Sequence, residues 1–80
     1  MTKVTVYSKD MCGQCMFLKK MLDGKNIPFE EKNVSHDESA LSYLQGKGIS
    51  SLPYVETSSD VAFSGVRPDI VKELAKEFEV

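Results

Sequence analysis

The chain has 80 residues, with ten basic against twelve acidic side chains and a formal net charge of −2. It carries no basic run and no cationic amphipathic segment, so neither nucleic acid nor a membrane surface is an expected partner, and no apolar stretch approaches membrane-spanning length. One domain is expected over residues 1–80, working as a monomer and burying roughly 60 to 65 per cent of its unfolded surface, a size at which stability must come from packing.

Val4 and Val6 alternate with Thr5 and Tyr7, which predicts a buried strand ending near Ser8. Met1-Thr2-Lys3 leads straight into this pattern without the apolar core of a secretion signal, so the reducing cytoplasm is the expected compartment. Met16, Phe17, Met21 and Leu22 then recur at helical spacing up to a stop at Gly24. Ile27 through Val34 reads as a second strand, with Pro28 confined to its start or an edge. Ser35-His36-Asp37-Glu38 fits a capping box for a short helix with Leu41 and Leu44 inward, closing at Gly46-Lys47-Gly48. Pro53-Tyr54-Val55-Glu56 and Val61-Ala62-Phe63 flank the polar Thr57-Ser58-Ser59-Asp60 and predict an antiparallel hairpin, which Ser64-Gly65 ends. Pro68 suits a first helical turn, and Ile70, Val71, Leu74 and Phe78 line one face of a terminal helix. The order is β-α-β-α-β-β-α, an α/β chain whose first three strands, joined through helices, are expected to be mutually parallel with helices on both sheet faces.

Both cysteines of the chain, Cys12 and Cys15, fall at the turn from the first strand into the first helix. At that spacing the sulfurs lie one turn apart on one helix face, within bridging distance. Closing so small a loop is worth only about 2 kcal/mol in chain entropy, so the bridge is a poor staple and its chemistry matters more than its architecture. The attacking species is a thiolate, of which an ordinary cysteine supplies about 3 per cent at neutral pH. If a helix N-terminus stabilised the anion by about 2 kcal/mol, the thiolate fraction would rise about fifteenfold. Nucleophilicity falls with pKa and takes back about fivefold, leaving a net gain near threefold, so selectivity must come from docking. Cys12, at the exposed helix end, is the expected nucleophile, and Cys15, a turn further in, the resolving thiol. Two cysteines and a distant His36, which reads as a helix-start residue, fall short of the four ligands of structural zinc, so no metal is expected. Gly13 either admits a partner's backbone or eases the turn, and Gln14 either hydrogen-bonds a partner or meets water.

The element order, with Cys-x-x-Cys after the first strand and Pro53 opening the third, resembles the thioredoxin fold in its glutaredoxin-sized form, a four-stranded mixed sheet flanked by three helices. Val4-Thr5-Val6-Tyr7-Ser8-Lys9, the Cys-x-Gln-Cys motif and Ser64-Gly65-Val66-Arg67-Pro68-Asp69 together resemble the NrdH-redoxin family. Phe63 and Val66 stand where that family typically has tryptophan and phenylalanine, Lys9-Asp10 where it has Lys-Pro, and Gly13 where Val or Met is more common.

The resemblance implies a cis Leu52–Pro53 bond facing the dithiol, with Leu52 offering its backbone to an extended partner strand. It implies a dithiol-disulfide oxidoreductase without a bound cofactor, donating electrons to the large subunit of class Ib ribonucleotide reductase and recharged by thioredoxin reductase with NADPH. Gly13, Gln14, Leu52, Pro53, Ser64, Gly65 and Arg67 are then the candidate partner contacts. Glutaredoxins place Gly-Gly and acidic residues where this chain has Ser64-Gly65-Val66-Arg67, so glutathione is expected to bind poorly. Arg67 and Asp69 read equally well as a local ion pair at a helix start. The alternatives are a glutathione-dependent glutaredoxin and a non-enzymatic adaptor holding a metal between thiols.

Overall fold

The computed structural model describes residues 3–78, so the Met1-Thr2 lead falls outside the described residues. Strand β1 (Val4–Ser8) is followed by α1 (Gly13–Gly24), β2 (Glu30–Asn33), α2 (Glu38–Gly46), β3 (Tyr54–Thr57), β4 (Ala62–Ser64) and α3 (Pro68–Ala75), with a final 3-10 turn at Lys76–Phe78. The four strands form one sheet in the order β2-β1-β3-β4. The period-2 alternation of β1 divides the core between the sheet's two faces. Val4 and Val6 pack with Leu18 and Leu22 of α1, Val55, Phe63, and Val71 and Leu74 of α3. Tyr7 packs on the opposite face with Ala40 and Leu44 of α2 and with Tyr54. Helices therefore cover both faces, as expected.

The strand directions correct the expectation. β1 and β2 are parallel, with Val6 opposite Glu31 and Ser8 opposite Asn33, but β3 runs antiparallel to β1, with Tyr7 opposite Tyr54 and Val4 opposite Thr57. The reason is where the second connection starts and ends. β2 finishes at Asn33 beside Ser8, and β3 starts at Tyr54 beside Tyr7, so the intervening segment leaves and rejoins the sheet at the same end. Helix α2, only nine residues and about 13 Å long, buries Ala40 and Leu44 at that end instead of returning the chain along the strands. The hairpin of β3 and β4 is antiparallel as expected, with Val55 opposite Phe63.

Helix boundaries and faces also shift. In α1 the buried side chains are Cys15, Leu18 and Leu22. Met16 and Phe17, expected inward, are 56% and 59% exposed. The i, i+3, i+7 stripe begins at the cysteine itself, which the apolar set had left out. Helix α1 ends at Gly24 as expected, with Lys25 as its C-cap. Asn26 takes the left-handed φ of 57°, with its N–H donating to the Asp23 carbonyl and the Ile27 N–H to the Leu22 carbonyl, a Schellman ending that lowers Ile27 into the core. The second strand is correspondingly shorter than Ile27–Val34, because Ile27 belongs to this cap. Helix α2 starts on Asp37, whose Oδ1 accepts from the Ala40 N–H at 3.1 Å, and not on Ser35. Leu41 is partly exposed while Ala40 takes the inward position, and Gly48, φ 73°, ends the helix as expected. Pro68 opens α3, but the helix stops at Ala75 and Phe78 reaches the core from the 3-10 turn.

Candidate active site

The loop leaving Ser8 delivers Cys12 to the N-cap of α1, in extended backbone (φ −107°, ψ 105°). Its Sγ accepts the Cys15 N–H at 3.2 Å, the place a serine or aspartate oxygen takes in an ordinary cap. Cys12 and Cys15 are joined by a disulfide, with their Cα atoms 5.2 Å apart. The first turn of α1 contains no acidic residue. On reduction, a negative sulfur at position 12 meets the helix's unpaired N–H groups and positive end, and no carboxylate of that first turn opposes it. Cys12 is 9% exposed and Cys15 only 1%, so both are buried and Cys12 is the less enclosed of the two.

The sheet register brings other candidate residues to the same end. Tyr54 is opposite Tyr7, so Pro53 falls one step further along, at the end from which the loop to Cys12 departs. The Leu52–Pro53 bond is cis, as the resemblance implied. Pro53 is fully buried and Leu52 packs at the margin of the tyrosine cluster. The Gly65 N–H donates to the Pro53 carbonyl at 2.7 Å, which extends the β3–β4 ladder and sets Ser64 and Gly65 against the proline loop. Gly65 needs its glycine, with φ at 79°. Arg67 is exposed at the N-cap of α3, its Nη2 3.4 Å from Asp69 Oδ2, and this partner holds the Asp69 carboxyl below its usual range. Gly13 and Gln14 are exposed, and a Cβ at Gly13 would meet nothing within 4 Å, so no part of this chain crowds the glycine. Leu52, Pro53, Ser64 and Gly65 thus form one contiguous group, whereas Arg67 is engaged locally.

Two polar networks beside the pair escaped the sequence reading. Ser8, 1% exposed, donates from Oγ to Glu31 Oε2 at 2.6 Å, and Lys19 Nζ lies 2.6 Å from the same oxygen. Lys19 and then Ser8 hold the Glu31 carboxyl below its ordinary range. Lys19 is one turn beyond Cys15 on α1, so the network lies along the cysteine's own helix face. The second network ties Asp10 to the turn after β2. A serine ending a β-branched run reads as a turn residue, which hid Ser8. Nothing but a short charged patch marked Glu31, and Asp10 was noted only as a departure from Lys-Pro.

Among the described residues no helix is long and apolar enough to cross a membrane. The family model for glutaredoxin matches residues 4–61. The chain is 39% identical over 72 residues to the glutaredoxin-like protein NrdH of Lactococcus lactis subsp. lactis (strain IL1403), covering 90% of this chain and 99% of that one. It is 32% identical over 72 residues to the glutaredoxin-like protein NrdH of Escherichia coli (strain K12), covering 90% of this chain and 88% of the relative. The solved structure of the glutaredoxin-like protein NrdH-redoxin from Escherichia coli, described for its thioredoxin-like activity profile, matches with a TM-score of 0.84 at 32% identity, over 90% of this chain and 93% of that one. Fold, cysteine pair and relatives agree: the chain belongs to the glutaredoxin family, with the NrdH-type glutaredoxin-like proteins as its relatives, and is a thiol-disulfide oxidoreductase of thioredoxin fold.

Proposed function

We propose that this oxidoreductase is a cytoplasmic, monomeric electron carrier that reduces the large subunit of class Ib ribonucleotide reductase and is itself reduced by thioredoxin reductase with electrons from NADPH, holding no cofactor of its own. In each turnover the Cys12 thiolate attacks a partner disulfide, forming a mixed disulfide and expelling one partner thiolate, which takes up a proton. The Cys15 thiol then loses its proton and attacks Cys12 Sγ. The second partner sulfur leaves as a thiol, and the two electrons gained by the partner equal those lost in forming the Cys12–Cys15 bridge. The exposure difference between the two cysteine residues supports this order of attack.

The observation that carries the choice of partner is the loop bonded to Pro53. Gly65 is tied to the Pro53 carbonyl, and the residues that follow are Val66 and Arg67 instead of the acidic pair with which glutaredoxins hold glutathione's charged end. Leu52 and Pro53 give an extended partner segment a backbone edge, with Ser64 and Gly65 as its neighbouring wall and Gly13 and Gln14 open on the helix side. The relative from Escherichia coli, described as thioredoxin-like in activity, supports the same direction.

The experiment offers the oxidised protein two reducing systems. Thioredoxin reductase with NADPH is expected to reduce it at substrate-limited rates, while glutathione with glutathione reductase leaves most of it oxidised. The reverse preference overturns the proposal in favour of a glutathione-dependent glutaredoxin.

A further inference from the structure

Asp10 lies two residues before Cys12, and three contacts fasten it to the turn after β2. Its N–H donates to Ser35 Oγ at 3.0 Å, its Oδ1 accepts from Asn33 Nδ2 at 3.0 Å, and its Oδ2 is 2.8 Å from His36 Nε2. The receiving turn is itself fixed. Asn33 Oδ1 accepts the Ser35 N–H at 2.9 Å, the Asn33 carbonyl accepts the His36 N–H at 3.0 Å, and the Val34 N–H donates to the Ser8 carbonyl at 2.8 Å. Between Asp10 and Cys12 stands Met11, with φ at 56° and its side chain fully exposed. A residue that bears a Cβ persists in the left-handed region only where its surroundings over-determine it. An exposed side chain supplies no such restraint. The restraint comes from the two sides: α1 beyond Cys12, and the Asp10 contacts before it.

We infer that Asp10 is a positioning residue for the redox pair. Through Asn33, Ser35 and His36 it holds the loop so that Cys12 reaches α1 as its N-cap, with Sγ against the Cys15 N–H. Asp10 does not touch either sulfur. It acts by limiting the conformations open to the Cys12 segment, which raises the effective concentration of one thiol at the other and favours the intramolecular bridge.

The consequence is read from the exchange in which protein dithiol and glutathione disulfide give protein disulfide and two glutathione thiols. Two electrons pass from the protein to glutathione disulfide, accompanied by two protons. Reduced protein is equilibrated with glutathione buffers of graded ratio, and the Cys12–Cys15 equilibrium constant is measured together with the melting temperature of each form. Asp10→Ala is expected to lower that constant about fivefold, the factor corresponding to the net worth of roughly one hydrogen bond. Asn33→Ala is expected to shift it in the same direction, and the double variant to fall by less than the sum of the two single effects, because the two share one contact. Asp10→Asn, which keeps an acceptor for Asn33 and the N–H for Ser35, is expected to recover most of the loss. An unchanged constant in Asp10→Ala, with or without a lowered melting temperature, overturns the inference and leaves Asp10 a purely structural tie. If Asp10→Ala fails to fold, an unchanged constant in Asn33→Ala overturns it equally.

Discussion

Glu56 fastens α2 to the sheet, and its removal has a cost that can be worked out from its neighbours. Its Oε1 accepts from the Tyr7 hydroxyl at 3.1 Å, and its two oxygens accept from the Tyr43 hydroxyl at 3.0 and 2.9 Å. The Tyr7 ring stacks on Tyr43 and tilts against Tyr54, each with centroids 5.8 Å apart. Tyr7 is only 4% exposed, and burial followed by the Glu56 charge pushes its hydroxyl well above the ordinary tyrosine range, so it remains a donor. Glu56→Ala leaves that buried donor without its acceptor, at a cost of about 1–3 kcal/mol, whereas the exposed Tyr43 hydroxyl is rehydrated. At about 4–8 °C per kcal/mol for a domain of this size, a central value near 2 kcal/mol lowers the melting temperature by about 8–16 °C. Glu56→Gln keeps an acceptor and is expected to lose less than half as much. Adding Tyr7→Phe to Glu56→Ala removes the orphaned hydroxyl and is expected to recover part of the loss, since deleting both partners costs less than deleting one. Thermal melts of the four oxidised proteins decide it. A Glu56→Ala shift below about 2 °C, or a further drop on adding Tyr7→Phe, refutes the reasoning.

Leu22, fully buried between α1 and the sheet, is expected to cost about 2–5 kcal/mol as Leu22→Ala. Phe17→Ala, on the exposed side of the same helix, is expected to stay within about 0.5 kcal/mol, and paired urea titrations compare them. Glu31 contributes to pH dependence with a definite sign. Its folded pKa is held down by Lys19 and Ser8, so its stabilisation is present above the unfolded glutamate value and is lost as pH falls through the lower folded value. The pair is over a third exposed at Glu31, so solvent screening keeps this below about 1 kcal/mol. Acid unfolding of Glu31→Gln is expected to show a shallower pH slope below about pH 4.5 than the parent, and identical slopes would contradict the assignment.

The redox pair was legible because two cysteines at helical spacing, placed at a strand-to-helix turn, leave few other readings. Element order was legible from alternation and punctuation. The direction of β3 was not, because nothing local to Tyr54–Thr57 records at which end of the sheet its chain arrives; that depends on α2 remaining at the end marked by Tyr7 and Tyr54. Cys15 is buried, as its place a turn further in implies, but Met16, Phe17, Met21 and Leu22 fit a helical stripe as well as Cys15, Leu18 and Leu22 do, and local spacing alone does not single out Leu18 over Met16 and Phe17. Ser35 and Asp37 are both good caps, and backbone geometry chose the second, freeing Ser35 to hold Asp10. The bond from the Gly65 N–H to the Pro53 carbonyl adds one step to the expected hairpin, whereas the resemblance named these residues only as separate partner contacts.

The order of attack by the two sulfurs is tested most directly by trapping. A disulfide-containing protein substrate is mixed in single turnover with reduced Cys15→Ser and, separately, with reduced Cys12→Ser. The account predicts that Cys15→Ser accumulates a stable mixed disulfide through Cys12, while Cys12→Ser forms little, because Cys15 is only 1% exposed. Equal trapping by both variants, or full dithiol turnover by Cys15→Ser, would contradict it.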